Sequence, residues 1–118
     1  MENWQLEFEW LRIRHWIKNN FNKKDLPDLN VVLFLIGLQE LGFLKKEYSK
    51  EEKQDLMHIA VCRLLSEDGY YKFEKRDTER WPHWKLVKKL PFQTQNEKEH
   101  FLKKKIIRYF EPIIDQKA

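Results

Sequence analysis

Residues 80–84, RWPHW, place two indoles, an imidazole, a guanidinium and a proline within five consecutive positions. Exposed indoles can stack on nucleic-acid bases or fill a pocket on a partner protein, and the contact residues would then be Arg80, Trp81 and His83. The same segment could close a small core, because burying an aromatic ring contributes about 2–3 kcal/mol and proline restricts the unfolded chain. The sequence favours this structural role for Trp84 and leaves the role of Trp81 open.

Basic residues in the second half of the chain could bind phosphate groups. The net charge is +4, and residues 67–118 account for all of it, with thirteen basic and nine acidic residues. A solvated surface is the favoured interpretation, because consecutive helical residues point about 100° apart and the lysines at 103–105 do not form one stripe. If the chain binds nucleic acid, the candidate contacts are Lys85, Lys88, Lys89, Lys103, Lys104, Lys105 and Arg108.

His58 and Cys62 are four residues apart on a predicted helix, so they share a face and could be two metal ligands. A structural zinc site needs four ligands, and no other residues have ligand spacing, so we expect no metal and no cofactor. Cys62 is then a small core residue. The chain has no glycine-rich phosphate loop and no nucleophile elbow. We therefore predict no catalytic residue and expect a protein without enzymatic activity.

Two rows of apolar residues with helical spacing predict a first helix over residues 4–18. One row consists of Trp4, Phe8 and Leu11, and the other consists of Leu6, Trp10, Ile13 and Ile17. Together the rows predict a wide apolar face. Strict alternation over residues 4–10 also fits a strand, which is the alternative for this start of the chain.

Residues 29–41 are the most apolar segment of the chain and predict a buried helix that ends at Gly42. A buried strand is the alternative interpretation. It is supported by the frequent β-branched residues and by Gly37, since glycine is a poor helix former.

A capping box predicts the start of a helix over residues 50–66, because Ser49 is followed three residues later by Glu52. The same spacing recurs at the start of residues 95–111, which predict the last helix. Proline lacks the N–H that a helix interior needs, so Pro112 is predicted to end it.

A change from helical to alternating spacing predicts a β-hairpin over residues 70–90. Its long connection spans residues 77–83 and contains Pro82. Proline has no N–H to donate to the ladder, so Pro82 belongs in the connection or at the first position of a strand. A two-stranded hairpin is marginal in water, so this one must pack on the helices. The residues predicted to face the helices are Tyr71, Phe73, Trp84 and Leu86.

The composition predicts one soluble globular domain over residues 1–118, with 42% hydrophobic and 14% aromatic residues to form its core. The longest apolar run has eight residues, whereas a membrane span needs about twenty. A lone Cys62 fits a reducing, cytoplasmic location. The element order predicts an α+β, mostly helical fold with three helices, a β-hairpin with a long connection, and a C-terminal helix.

A surplus of large apolar side chains leads us to expect a non-enzymatic protein–protein interaction module, adaptor or regulatory. A fold of this size cannot bury five Trp, eight Phe and four Tyr completely, so some should form a partner or self-association surface. Trp4 and Trp16 are the candidate contacts outside RWPHW. We do not expect the membrane to be a partner.

Nucleic-acid binding is the alternative function. Three helices followed by a hairpin is an order similar to the winged-helix fold, in which residues 50–66 would be the recognition helix. The acidic start of that helix, KEEKQD, is unsuited to the major groove. RNA binding through the basic hairpin and last helix is the other form of this alternative.

Overall fold

The computed structural model of the chain describes the backbone of residues 3–117 and the side chains of residues 3–115. Within this range the elements follow in the order α1 (Asn3–Asn20), α2 (Leu29–Leu41), α3 (Lys50–Ser66), β1 (Tyr71–Arg76), β2 (Pro82–Leu86) and α4 (Gln95–Lys117). The predicted α+β, mostly helical class and the predicted element order are confirmed. The strand alternatives for α1 and α2 are wrong.

The chain divides into two compact units. We call them the terminal unit, described over residues 3–29 and 92–117, and the central unit, residues 30–91. The terminal unit holds α1 and α4, and the central unit holds nearly all of α2, together with α3 and the hairpin. The single domain expected from the sequence stays a prediction. Within residues 3–117, no helix is both long and apolar enough to cross a membrane.

The terminal unit is built on the packing of α1 against α4. One apolar row of α1 is completely buried, and α4 contributes a buried row at helical spacing. The connection that leaves α1 is held in place by Arg14, whose Nε donates a hydrogen bond to the Pro27 carbonyl at 2.7 Å. The buried rows are Leu6, Trp10, Ile13 and Ile17 on α1, and Leu102, Ile106, Ile107 and Phe110 on α4.

Pro112 does not end the last helix, which corrects the prediction from the sequence. Helix α4 continues to Lys117 with Pro112 in its interior. Proline removes one backbone hydrogen bond at a cost of about 3 kcal/mol. Ile113 and Ile114, which follow Pro112, are half-buried. Their burial requires the helix to continue, so it offsets part of the cost of the proline.

The central unit depends on a close approach of α2 to α3 at Gly37. A Cβ atom at Gly37 would lie 2.1 Å from the carbonyl oxygen of Leu56, which is too close for any side chain. Gly37 is therefore needed for the packing of the two helices, although it weakens α2 taken alone. Helix α2 ends as predicted, with Gly42 at φ +83° and its N–H donating to the Leu38 carbonyl at 3.2 Å.

The capping box at the start of α3 is confirmed in both directions. The Glu52 N–H donates to the Ser49 hydroxyl at 3.1 Å, and the Ser49 N–H donates to the Glu52 carboxylate at 2.9 Å. At the start of α4 the Glu97 N–H donates in the same way to Thr94, at 3.1 Å. These local hydrogen bonds account for the correct prediction of both helix starts.

The hairpin pairs β1 with β2 in antiparallel register, and both strands contact α3. Phe73 pairs with Trp84, and their rings lie 5.5 Å apart, edge to face. The predicted helix-facing side is only partly covered, because Tyr71 and Trp84 are half-buried whereas Phe73 and Leu86 remain 46% and 48% exposed. The packing of the hairpin on α3 therefore leaves half of this face accessible.

The connection of the hairpin is shorter than predicted. Residues 77–81 form it, because Pro82 is the first residue of β2 and His83 also lies in the strand. Asp77 tightens the turn by accepting hydrogen bonds from the N–H groups of Glu79 and Trp81, at 2.9 and 3.0 Å. The peptide bond before Pro82 is trans.

Candidate functional site

A cleft of about 460 Å³ lies between α3 and the hairpin, within the central unit. Helix α3 provides one wall and the turn with the start of β2 provides the other. Of the predicted partner-binding residues, Trp81 and His83 line this cleft. Its lining includes Asp55, His58 and Cys62 on α3, and Asp77, Trp81 and Trp84 on the hairpin.

Trp81 is half-buried, which answers how far this side chain is exposed. Its ring packs on a buried cluster of Leu41, Leu56 and Ile59. Trp84 is also half-buried, and its indole Nε1 is inaccessible to solvent and has no hydrogen-bond partner among the described residues. Both indoles therefore contribute to the structure of the central unit and present only part of their surface to the cleft.

Arg80 is not on the cleft. Its backbone is in the left-handed region, at φ +70°, because the turn reverses within five residues. Its guanidinium lies over the ring of Phe43, 4.4 Å from the centroid, in a cation–π contact. The structure thus separates Arg80 from Trp81 and His83, although the three are neighbours in the sequence.

Asp77 and His83 form a polar pair at the mouth of the cleft, with 2.9 Å between Asp77 Oδ2 and His83 Nε2. The hydrogen bond with His83 lowers the pKa of Asp77, and the backbone N–H groups of Trp81 and Glu79 lower it further. Asp77 is therefore a carboxylate at neutral pH. The pair joins the turn to β2 and leaves the His83 side chain half exposed.

His58 and Cys62 meet on α3 as their spacing predicts, with 3.4 Å between His58 Nε2 and Cys62 Sγ. Burial raises the pKa of Cys62 to about 12, so its sulfur remains a protonated thiol at neutral pH. A thiolate is the form that attacks substrates or binds metals. In residues 3–117 no three His, Cys, Asp or Glu side chains are grouped so that they could hold a metal ion.

Four carboxylates around the cleft favour the binding of a positively charged group. Glu52 is paired with Lys45, and Asp77 is paired with His83. The carboxylates of Asp55 and Glu79 make no hydrogen bond or ion pair to another described residue. Carboxylates beside indole rings can hold an ammonium or guanidinium group. Cys62 itself is buried and protonated, so its sulfur is not an activated nucleophile.

A row of exposed apolar side chains lies in the other unit, along α1. Trp4 is 68% exposed, Phe8 is 61% exposed and Leu11 is 41% exposed, at steps of four and three residues. We call these three residues the exposed row. The prediction that both apolar rows of this helix form one wide face is wrong. At 100° per residue, the exposed row lies nearly opposite the buried row. The angular spacing already contained that signal, and sequence reasoning missed Phe8 and Leu11 as a result.

Trp16 does not belong to the exposed row. It is half-buried and packs against Phe110 of α4, with ring centroids 6.0 Å apart, and against Phe21, at 6.5 Å. Its role in the structure is therefore to close one end of the terminal unit. Of the two tryptophans predicted on α1 as partner contacts, only Trp4 is presented to solvent.

The seven basic candidates belong to different units. Lys85, Lys88 and Lys89 are exposed in the central unit, where the Lys88 ammonium lies 4.4 Å from the ring centroid of Tyr70. The other four are on α4 in the terminal unit. There Lys103 contacts Glu7 and the ring of Trp10, and Lys105 lies over the ring of Phe101, whereas Lys104 and Arg108 are exposed.

The protein thus presents two surfaces suited to binding, one in each unit. The cleft of the central unit is acidic and partly aromatic, and the exposed row of the terminal unit is apolar. As far as the described residues extend, neither surface groups ligands for a metal ion. The chain matches no protein-family model, no curated protein and no solved structure.

Proposed function

We propose that this protein is a cytoplasmic protein–protein interaction module without catalytic activity of its own. The observation that supports the proposal is the exposed row on α1, Trp4, Phe8 and Leu11. Single exposed apolar residues are ordinary, but a contiguous apolar patch marks a contact surface. Apolar residues at positions i, i+4 and i+7 are the pattern by which one helix contacts a groove or another helix.

The free energy gained by covering the exposed row is comparable to the cost of association. Its three side chains expose roughly 300 Å² of apolar surface, as judged from the usual size of aromatic side chains. At about 25 cal/mol per Å², covering this surface contributes about 7 kcal/mol before the cost of association. That cost is about 4–15 kcal/mol. We therefore expect the exposed row to be the centre of an interface whose flanks also contribute.

A capture experiment with matched variants tests the proposal. The full-length tagged chain is compared with its Phe8→Ser variant and with a Leu44→Ser variant. Leu44 is 83% exposed in the connection between α2 and α3, so it controls for the loss of an exposed apolar side chain. We expect Phe8→Ser to lose associations that the wild type and Leu44→Ser retain, with unchanged far-UV circular dichroism.

Parallel washes with and without nuclease identify the class of partner. Associations that persist in Phe8→Ser would contradict the proposal. Recovery of nucleic acid, with every protein partner lost on nuclease treatment, would contradict it as well. In that case mutations should be directed to Lys85, Lys88 and Lys89 of the central unit and to the exposed Lys104 and Arg108 of α4.

A further inference from the structure

We infer that the exposed row on α1 binds a second copy of this chain, helix against helix. The inference rests on the proposed function, because it names the partner of the same surface. Its basis is that the exposed row and the charged residues beside it are complementary to the same residues of a second copy. Each part of that match concerns residues of α1 alone.

The exposed row has the spacing of a short coiled-coil seam. Trp4, Phe8 and Leu11 continue to His15, which is also exposed, so the steps are four, three and four residues. This is the alternation of the two core positions in a heptad, which places all four side chains along one line of the helix. Two such lines can pack against each other. Helix α1 therefore carries a seam directed away from its own buried row.

The charges beside the seam are self-complementary. Glu7 and Arg14 occupy flanking positions on one side, and Arg12 occupies a flanking position on the other side. In a parallel pair Glu7 lies against Arg12 of the second copy, and in an antiparallel pair it lies against Arg14 of the second copy. Either arrangement sets opposite charges against each other twice, by symmetry. An unrelated partner would not require this match.

The contacts that these charges make within one chain leave them accessible. Glu7 is 59% exposed and its carboxylate lies 3.4 Å from the Lys103 ammonium, whereas Arg12 is 40% exposed and pairs with Glu9 at 2.9 Å. Arg14 is half-buried and uses Nε for the Pro27 carbonyl, and the other nitrogens of its guanidinium can still donate. Exposed ion pairs of this kind are weak and rearrange readily.

The area of the seam predicts a reversible dimer. A stable interface buries about 800 Å² on each partner, which is more than the roughly 300 Å² of the exposed row. The flanks must supply the rest. The dimer should therefore form and dissociate within the concentration range that sedimentation velocity measures.

Sedimentation velocity of the full-length chain over a hundredfold range of concentration tests the inference. We expect a monomer–dimer equilibrium whose association constant falls at least tenfold in Phe8→Ser and is unchanged in Leu44→Ser. Glu7→Arg should weaken the dimer about tenfold, because it sets like charges against each other twice. The control Glu111→Arg changes the net charge equally at an exposed position of α4 and should have no effect.

Mixing of charge variants then provides the decisive measurement. Glu7→Arg mixed with Arg12→Glu restores two attractive pairs if the helices are parallel, and Glu7→Arg mixed with Arg14→Glu restores them if they are antiparallel. We expect one of the two mixtures to form a heterodimer as strongly as the wild type forms its dimer. Circular dichroism of each variant shows whether α1 is intact, and an Arg12→Gln or Arg14→Gln variant replaces any variant that is not folded.

Two outcomes would overturn the inference, and they differ in what they say about the proposed function. If the wild type is monomeric throughout while Phe8→Ser still loses its captured partners, the second copy is wrong and the interaction module stands. If dimerisation is unaffected by Phe8→Ser and by both charge reversals, the exposed row is not the contact surface. Retention of captured partners by Phe8→Ser would then remove the proposed function as well.

Discussion

Burial of a single sulfur atom lowers the reactivity of one residue that lines the candidate cleft. Cys62 is the one cysteine of the chain, and its pKa is raised to about 12 by desolvation. The thiolate is the reactive form, so at pH 8.5 its population is roughly a thousandfold smaller than that of a cysteine with an ordinary pKa. We expect iodoacetamide to label the native protein far more slowly than the urea-unfolded protein, as measured by intact mass.

The same shift predicts how stability depends on alkaline pH. The Cys62 thiol ionises less readily in the folded state than in the unfolded state. Its ionisation at alkaline pH therefore favours the unfolded state. Stability should therefore fall as pH rises above about 9, and a Cys62→Ala variant should lack that part of the decrease. If iodoacetamide labels the native protein as fast as the unfolded chain, the raised pKa on which both predictions depend is contradicted.

The lowered pKa of Asp77 predicts that stability falls as the pH becomes acidic, which is the opposite direction to the dependence predicted for Cys62. Its pKa is lowered by the hydrogen bond with His83 and by two backbone N–H groups. A carboxylate with a lowered pKa stabilises the fold above its unfolded pKa, and this contribution disappears as pH falls through the folded value. We expect Asp77→Asn to reduce the loss of stability that acid causes in the wild type, as followed by urea unfolding between pH 6 and pH 3.

Asp55 provides the control for Asp77. It lines the same cleft, and its carboxylate makes no hydrogen bond to another described residue. Asp55→Asn should therefore leave the acid dependence as it is in the wild type. Equal effects of the two substitutions would show that the turn does not depend on the charge of Asp77.

Individual site residues were only partly predictable, because type and spacing do not define what covers a side chain. The pattern on α1 contained both apolar rows, yet only the packing with α4 decides that Leu6 and Trp10 are buried while Trp4 and Phe8 are exposed. Trp81 could not be assigned for the same reason. Its burial depends on a cluster formed by distant parts of the chain, which include Leu41.

At the scale of elements, Gly37 determines whether α2 and α3 can approach each other. We expect Gly37→Ala to destabilise the protein by about 3 kcal/mol, since the new methyl group would meet the Leu56 backbone, which cannot rotate away. Gly42→Ala is the matched control. It has φ +83° and nothing within 4 Å of its Cβ position, so it should cost only about 1 kcal/mol of conformational strain.

Urea unfolding of both glycine variants measures this difference. A loss of stability from Gly37→Ala that is no larger than the loss from Gly42→Ala would show that α2 and α3 can separate at little cost. The close approach would then not be a requirement of the fold. A larger loss at Gly37 assigns the effect to packing between helices, because both substitutions add the same methyl group.

Elements were predictable where a local signal marks their ends. The bounds predicted for α2 and α3 are those observed, because Gly42 and the capping box of Ser49 and Glu52 act within a few residues. Pro112 misled the prediction of α4, since its local effect is opposed by packing further along the chain. The connection of the hairpin was overestimated because Pro82, which can stand in a connection or begin a strand, is the first residue of β2.

At the scale of the whole molecule, the order of the units along the chain distinguishes the two cores. The core of the central unit is assembled from residues 30–91, whereas that of the terminal unit joins the beginning of the chain to its end. Contacts between segments distant in sequence form slowly, because the intervening chain must first be ordered. We expect α3 to gain protection from hydrogen exchange before α1 does when the unfolded protein is refolded and pulse-labelled.

The pairing of α1 with α4 also has a consequence for synthesis. Helix α1 leaves the ribosome before its packing partner α4, so both apolar rows of α1 face solvent until α4 has been translated. Leu6, Trp10, Ile13 and Ile17 then resemble the hydrophobic segments that chaperones retain. A nascent chain stalled before residue 95 should therefore bind a holdase through α1, and completion of α4 should release it.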